Sequence, residues 1–344
     1  MLNLILQFAK KRKLRELEVS EIGMGTMAFS HGYGKIPERQ YSLEAIRAAF
    51  DYGCTFFDTA EAYGAQLYYE GHNEEIVGEA LKDVRKDAVL ATKFHFHPGD
   101  YEEGMELYTA VKRHLIKSLS RLQTDYVDLY YLHRVTDKVP VEAVAEVMGR
   151  LIKEGLIRGW GLSQVSVDVL KQADQITPVS AVQNLYNILE RDCEDDIFPY
   201  CMEHGIGVVP FSPIASGLLS GKITVGTEFE KVDDVRNWVP QLTKENIAGN
   251  QPILDIIQEY AEKKDATNAQ ISLAWMLHKY PNVVPIPGSK NKERILENLG
   301  ADKVSFTDEE FTALETALAG CKIYGHRGHV EMEGKGFLNK KPLR

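Results

Sequence analysis

The sequence predicts an α/β chain folded as a (β/α)8 TIM barrel with long loops at the C-terminal rim. Three observations carry this. Eight short apolar runs alternate with longer amphipathic stretches, a rhythm that builds parallel β-α units. Most of those runs are apolar throughout, as strands covered on both faces are. Polar, chemically capable residues collect where the runs end, and in a parallel barrel those ends share one rim.

In chain order the strand candidates are residues 22–25, 55–58, 88–92, 126–132, 157–162, 179–183, 207–211 and 283–286. The intervening segments 43–52, 74–84, 103–122, 141–154, 167–173 and 195–204 read as helices, followed by 252–264, 268–279, 292–299 and 308–319. Helix starts are marked by Asn73 before Glu74, by Pro252, and by Thr307 before Asp308 and Glu310. Gly155 and Gly205 stand just past helical patterns, where a left-handed cap is expected. A doubly wound sheet is the competing architecture. It would carry a glycine-rich loop opening a helix after its first strand, and Gly23-Met24-Gly25-Thr26-Met27-Ala28 lacks the third glycine.

Residues 1–344 read as one barrel domain with no interdomain linker. Two ends are irregular: an arm over residues 1–13 and a tail over residues 320–344 that is rich in Gly, Lys and His. Residues 222–251 form a long irregular stretch, expected to be a lid or a disordered loop. The arm opens with an apolar run followed by Lys10-Lys11-Arg12-Lys13. A secretory signal has the reverse order, and the run is too short to span a membrane. It reads as an edge strand or a free arm.

With 344 residues, 44% hydrophobic and 26% charged, the chain can bury a full core. A net charge of −10 argues against nucleic acid or an anionic membrane as the main partner, while leaving room for a local phosphate-binding patch. The four cysteines, Cys54, Cys193, Cys201 and Cys321, are scattered with no metal-like spacing, which fits a reducing, cytoplasmic compartment.

Four residues at the expected rim make a proton-transfer set. Asp58 ends one apolar run, Lys93 follows another, His133 follows a third, and Tyr63 lies one short loop beyond Asp58. A phenol has a pKa of about 10, and a nearby ammonium favours its phenolate. Lys93 would supply that charge, and Asp58 would hold Lys93 protonated. His133 would orient a bound carbonyl oxygen, and Tyr63 would protonate it as a hydride arrives at carbon. No side chain here donates hydride, so a cofactor is required. Taken singly, each residue has an ordinary structural reading: a loop cap, an exposed lysine, a turn aromatic, a satisfied loop histidine. Jointly, at one rim, coincidence is the poorer account.

The motifs Phe57-Asp58-Thr59-Ala60-Glu61-Ala62-Tyr63-Gly64, Ala91-Thr92-Lys93 and Leu132-His133-Arg134 resemble those of the aldo-keto reductases. So do Gly159-Trp160-Gly161-Leu162-Ser163, Ala181-Val182-Gln183-Asn184, Pro210-Phe211-Ser212-Pro213 and Ile286-Pro287-Gly288-Ser289-Lys290. The likeness runs from about residue 14 to 324. It implies a catalytic tetrad of Asp58, Tyr63, Lys93 and His133, with Tyr63 as general acid, and an NADP(H) cofactor. Ser163 and Gln183 would hold the nicotinamide carboxamide, with Gln164 standing where the family usually has Asn. Phe211 would stack on the nicotinamide. Ser212, Pro213, Gly217 and Leu219 would run along the pyrophosphate. Gly288, Ser289, Lys290 and Arg294 would meet the 2′-phosphate, and Glu297 and Asn298 the adenine. Asp234 and Arg236, in the irregular stretch, match a loop that clasps the cofactor in some relatives.

The cations Lys290 and Arg294 near a helix start favour a phosphate on physical grounds as well. Loop position makes Met27, Phe29, Tyr33, Phe94, Phe96 and Arg134 the expected substrate pocket, suited to small carbonyl compounds with apolar bodies. Arg134 or the histidines would recruit an acidic group. Two competing readings remain. His95-Phe96-His97 with His133 and Asp58 would suit a metal-dependent hydrolase, but leaves Tyr63 and the Ser289-Lys290 segment unexplained, so no metal is expected. The overall pattern also resembles potassium-channel β-subunits, NADP(H)-binding regulators that act through a partner. Oligomerisation stays open.

Overall fold

A computed structural model of the protein describes residues 10–101 and 104–328. The outer parts of the expected arm and tail, residues 1–9 and 329–344, lie outside the described residues.

Seven parallel strands form the central sheet in chain order, each hydrogen-bonded to the next. We number strands from the hairpin that precedes the sheet: β1 (Lys11–Leu14) and β2 (Leu17–Ser20) are antiparallel, and β3 (Met24–Gly25) begins the sheet. The sheet continues through β4 (Phe56–Asp58), β5 (Val89–Phe94), β6 (Val127–Leu132), β7 (Ile157–Ser163), β8 (Ala181–Gln183) and β9 (Gly207–Val208). The eighth stave makes only single parallel bridges, Val283 to Val208 on one side and Gly288 to Gly25 on the other, and these close the sheet into a barrel. Pro285 and Pro287 in this stave have no N–H to donate to a ladder, which accounts for the sparse pairing. Gly25 and Gly288 permit the close seam: a Cβ on Gly25 would sit 2.9 Å from the Ile286 carbonyl oxygen.

Side chains alternate between two cores. Phe56, Ala91, Leu129, Tyr131, Ala181, Val209, Val284 and Ile286 fill the barrel interior. Phe57, Leu90, Phe94, Tyr130, Leu132 and Val182 face the surrounding helices. This is the period-two alternation of a strand bent around an axis.

The helices are α1 (Arg39–Tyr52), α2 (His72–Leu81), α3 (Leu107–Leu122), α4 (Val141–Lys153), α5 (Val167–Ile176) and α6 (Ile197–His204). They continue as α7 (Lys244–Gly249), α8 (Gln251–Lys264), α9 (Asn268–Lys279), α10 (Lys292–Leu299) and α11 (Asp308–Ala319). Thr307 and Glu310 form the expected capping box, Pro252 sits in the first turn of α8, and Gly205 caps α6 at φ 65°. Asn73 is not a cap. It lies inside the first turn of α2, fully buried, accepting from the Thr26 and Thr59 hydroxyls at 2.6 Å each.

The basic run also has a structural job. Leu14 and Leu17 plug the barrel interior from the end opposite the strand C-termini, and Arg12 donates to the carbonyls of Leu277, Tyr280 and Val283. The stretch 222–251 is more ordered than expected. It contains short turns at Val235–Trp238 and Pro240–Leu242 before α7. The described part of the tail packs back on it: Asn250 exchanges two hydrogen bonds with the backbone of Tyr324, and Gln241 donates to the His326 carbonyl.

Candidate active site

The strand alternation sets the site. Asp58 closes β4 with inward parity to Phe56, and Lys93 has inward parity to Ala91 on β5. His133, one residue past β6, continues the parity of Leu129 and Tyr131. Tyr63 is brought over the same opening by the tight turn after β4, in which the Tyr63 N–H donates to the Ala60 carbonyl.

Lys93 is fully buried and its three N–H groups are all engaged. It donates to Asp58 Oδ1 at 2.5 Å, to the Thr59 carbonyl at 2.8 Å and to the Tyr63 hydroxyl at 3.0 Å. Burial alone would push its pKa down, but Asp58 and Tyr63 outweigh that and leave it above the ordinary lysine value. Lys93 is therefore an ammonium at neutral pH. Burial pushes the Tyr63 phenol up, and Lys93 draws it back only in part. The sequence argument expected a lowered phenol; desolvation is the larger effect, and Tyr63 keeps its proton.

Asp58 accepts a second bond, from Gln183 Nε2 at 2.8 Å. His133 is held by its backbone N–H on the Phe94 carbonyl, with its ring edge-on to Tyr63 at 5.8 Å between centroids. Its pKa lies well below the ordinary value because of burial and the neighbouring His95. It is a neutral imidazole, able to give or accept one hydrogen bond at each nitrogen.

The residues expected to hold a nucleotide lie around one side of the rim. Ser163 and Gln183 are paired at the ends of β7 and β8. Ser163 Oγ accepts from Arg134, which also donates to the His133 carbonyl. Gln164 sits at φ 55°, a conformation that Asn tolerates better, and its amide oxygen accepts from Leu185 N–H. Phe211 is half-buried. The segment that begins at Ser212 contains four residues at positive φ, Ser212, Ala215, Ser216 and Gly217, three of them not glycine. Such local strain concentrates at functional sites, and here the Ala215, Ser216 and Gly217 N–H groups bond within the loop, to the Ser212 carbonyl, the Ser212 hydroxyl and the Ile214 carbonyl. Pro213 is buried, and Leu219 is fully buried with its N–H on the Ile214 carbonyl, so the structure does not bring Leu219 to the groove surface.

Across the groove, Gly288 forms the barrel seam and Ser289 Oγ accepts from Asn291 N–H. Lys290 donates to the Tyr33 and Lys35 carbonyls at 2.7 and 2.6 Å. Arg294 is exposed in the first turn of α10, where Asn291 caps the helix. Glu297 pairs with Lys222 at 3.3 Å, and Asn298 is buried. Asp234 pairs with Arg236, and Asp233 and Val235 zip to Gly32 and Gly34, so this loop straps to the loop after β3.

Two residues of the expected substrate pocket cannot line it. Phe29 and Phe94 are completely buried in the layer between sheet and helices. Met27 and Arg134 stay half-buried near the opening. In place of the aromatic walls, His31 packs on Tyr63 at 5.5 Å and His95 on His133 at 4.2 Å between ring centroids. Sequence reasoning passed over His31 entirely. It also passed over Glu61, His114 and Asp100. Strand parity would have found His95, which shares the inward parity of Lys93.

His95 and His97 do not converge on one ion. His95 turns to His133, while His97 stacks on His114 at 5.3 Å. Among the described residues, Glu61, His97 and His114 form the one group with metal-like geometry. Both nitrogens of His114 are already engaged, however, by Glu61 at 2.9 Å and Asp100 at 3.0 Å.

Residues 21–319 match the family model described as the Aldo/keto reductase family. A curated relative, "Probable aldo-keto reductase 1" from Glycine max, is 36% identical over 94% of this chain and 93% of its own length. Among solved structures, a glycerol dehydrogenase from Gluconobacter oxydans superposes with a TM-score of 0.79 at 30% identity, covering 90% of this chain and 94% of that one. An aldo/keto reductase from Klebsiella pneumoniae, solved with NADP and acetate, gives a TM-score of 0.70 at 29% identity, over 94% and 99% of the two chains.

Proposed function

The chain belongs to the aldo/keto reductase family, and from that premise we propose that it reduces aldehydes or ketones to alcohols with NADPH, using Tyr63 as general acid. The observation that carries this is the Asp58–Lys93–Tyr63 chain of contacts at the end of β4 and β5. All three Lys93 protons are committed, so the Tyr63 hydroxyl accepts from Lys93 and keeps its own O–H to donate. That is the orientation a proton donor to a carbonyl oxygen needs.

When bound, NADPH would supply the hydride to the carbonyl carbon. The chain's own residues do the rest. His133, neutral, donates to the carbonyl oxygen and fixes it near Tyr63. The Tyr63 proton moves to that oxygen as negative charge develops there, and the adjacent Lys93 ammonium stabilises the phenolate left behind. Asp58 keeps Lys93 charged throughout.

The cofactor assignment draws on the donor set around the groove. The left-handed segment from Ser212 to Gly217 lines the groove with the Ser212 and Ser216 hydroxyls, the polar groups it can turn to a pyrophosphate. Lys290 and Arg294, beside the capped start of α10, suit the extra phosphate that separates NADP from NAD. Ser163, Gln183 and Phe211 are the proposed contacts of the nicotinamide, and Glu297 and Asn298 those of the adenine.

The test is cofactor oxidation with a panel of small aldehydes and ketones, NADH serving as control. Turnover with NADPH supports the reading. Tight NADPH binding with no turnover on any carbonyl would overturn it in favour of a regulatory, cofactor-sensing role.

A further inference from the structure

Three imidazoles crowd the Tyr63–Lys93 pair, and each keeps a buried ring nitrogen without a hydrogen-bond partner: His31 Nε2, His95 Nδ1 and His133 Nδ1. A buried polar atom left unpaired is costly, so three in one chain of ring contacts, with His31 and His133 on Tyr63 and His95 on His133, mark a place that a polar ligand completes. One imidazole, His133, is accounted for by the reacting carbonyl. His31 and His95 are not.

Their charge state narrows the ligand. Burial lowers the pKa of His31, and burial together with Arg134 pushes His95 down to about 4. Both rings are neutral at physiological pH, each with one donor and one acceptor nitrogen. A hydroxyl group also both gives and accepts, and so matches a neutral imidazole at either nitrogen. A carboxylate or phosphate would call for a cation, and the guanidinium at hand, Arg134, is held by the His133 carbonyl and Ser163 Oγ. An alkyl chain would leave the ring nitrogens unpaired.

Both rings sit on built supports. The His95 backbone N–H donates to Glu61 Oε1 at 2.7 Å, and the other Glu61 oxygen meets His114, which Asp100 holds from its far side. Beside His31, Ser30 Oγ is fixed by Asn73 at 2.8 Å and by His72 at 2.9 Å. Positions anchored through buried polar groups are held tightly enough to discriminate between ligands.

We propose that His31 and His95 are specificity-determining residues that bind hydroxyl groups next to the reacting carbonyl, making hydroxylated aldehydes and ketones the preferred substrates. The inference rests on the reductase reading above and deepens it.

The test compares hydroxyacetone with butanone, which differ by a hydroxyl in place of a methyl, using NADPH and the full-length enzyme. The wild type is expected to favour hydroxyacetone in kcat/KM by about tenfold or more, the scale of one well-made hydrogen bond to a buried group. The hydroxyl also activates the carbonyl intrinsically, so the deciding quantity is the change in that ratio. His95→Phe and His31→Phe should each lower the ratio several-fold, the loss falling mainly on hydroxyacetone as a raised KM. His95→Gln, which restores a donor and an acceptor, should recover part of it. An unchanged ratio in both Phe variants would overturn the inference while leaving the reductase reading intact. Absence of turnover on either ketone and on the aldehyde panel would instead refute the reductase reading, and this inference with it.

Discussion

The Lys93 ammonium donates to the Tyr63 hydroxyl at 3.0 Å, at the end of an ion pair that Asp58 makes inside the barrel. The acid, the amine and the phenol come from two adjacent strands and one turn. In the proposed reaction their order gives the direction of proton flow: Asp58 would hold charge on Lys93, and Lys93 would stabilise the phenolate left once Tyr63 has given up its proton.

The ion pair is a stability element as well as a chemical one. Asp58 and Lys93 are both buried, and removing one partner strands the other charge. Asp58→Ala should destabilise the protein by about 3–5 kcal/mol in chemical denaturation. Asp58→Leu combined with Lys93→Met should cost less than the single change. A double variant less stable than Asp58→Ala would contradict this account of the pair.

Lys290 presents a second linkage. Its ammonium bonds the Tyr33 and Lys35 carbonyls and lies 3.6 Å from Glu230, so it ties the loop after β3 to the strap. If it also meets the 2′-phosphate, Lys290→Ala with Arg294→Ala should weaken NADPH by about tenfold or more while changing NADH little. Titration by fluorescence of both nucleotides measures this. Equal losses for the two would leave Lys290 a strap residue alone and remove the 2′-phosphate assignment of both.

The Glu61–His114–Asp100 cluster predicts a pH dependence of stability. Burial alone would lower the His114 pKa, but the two carboxylates outweigh it and raise the value. A raised folded-state value contributes stability that is complete below the unfolded histidine value of about 6.5 and is lost as pH rises through the folded value. His114→Gln should therefore lower Tm most near pH 6 and progressively less at higher pH. His95 acts with the opposite sign: its value, pushed down to about 4, makes stability present at neutral pH and lost between about 6.5 and 4. A His114→Gln deficit that grew with rising pH would contradict the ion-cluster reading.

Much of the barrel was legible because strands covered on both faces read as near-continuous apolar runs, as at Val89-Leu90-Ala91 in β5 and Leu129-Tyr130-Tyr131-Leu132 in β6. The residues that end those runs, Asp58, Lys93 and His133, were legible for the same reason. What failed was side-chain direction. Phe94 was expected in the pocket because it follows Lys93, yet adjacent strand residues face opposite ways, and Phe94 stacks on Tyr130 in the outer layer. The eighth stave and β9 came out shorter than expected because Pro210, Pro285 and Pro287 cannot donate to a ladder. Gln183, expected on the cofactor, donates to Asp58 over a separation of 125 residues, a contact no local pattern announces. Nor does any local pattern reveal the Glu61–His114–Asp100 cluster, whose members lie on three separate segments.

The most direct test of the central claim is NADPH oxidation by wild type and by Tyr63→Phe, each on the same reducible aldehyde. The account predicts loss of kcat by orders of magnitude in the variant, with NADPH affinity retained, because Phe keeps the ring that packs between His31 and His133 and removes only the proton donor. Normal turnover by Tyr63→Phe would contradict it.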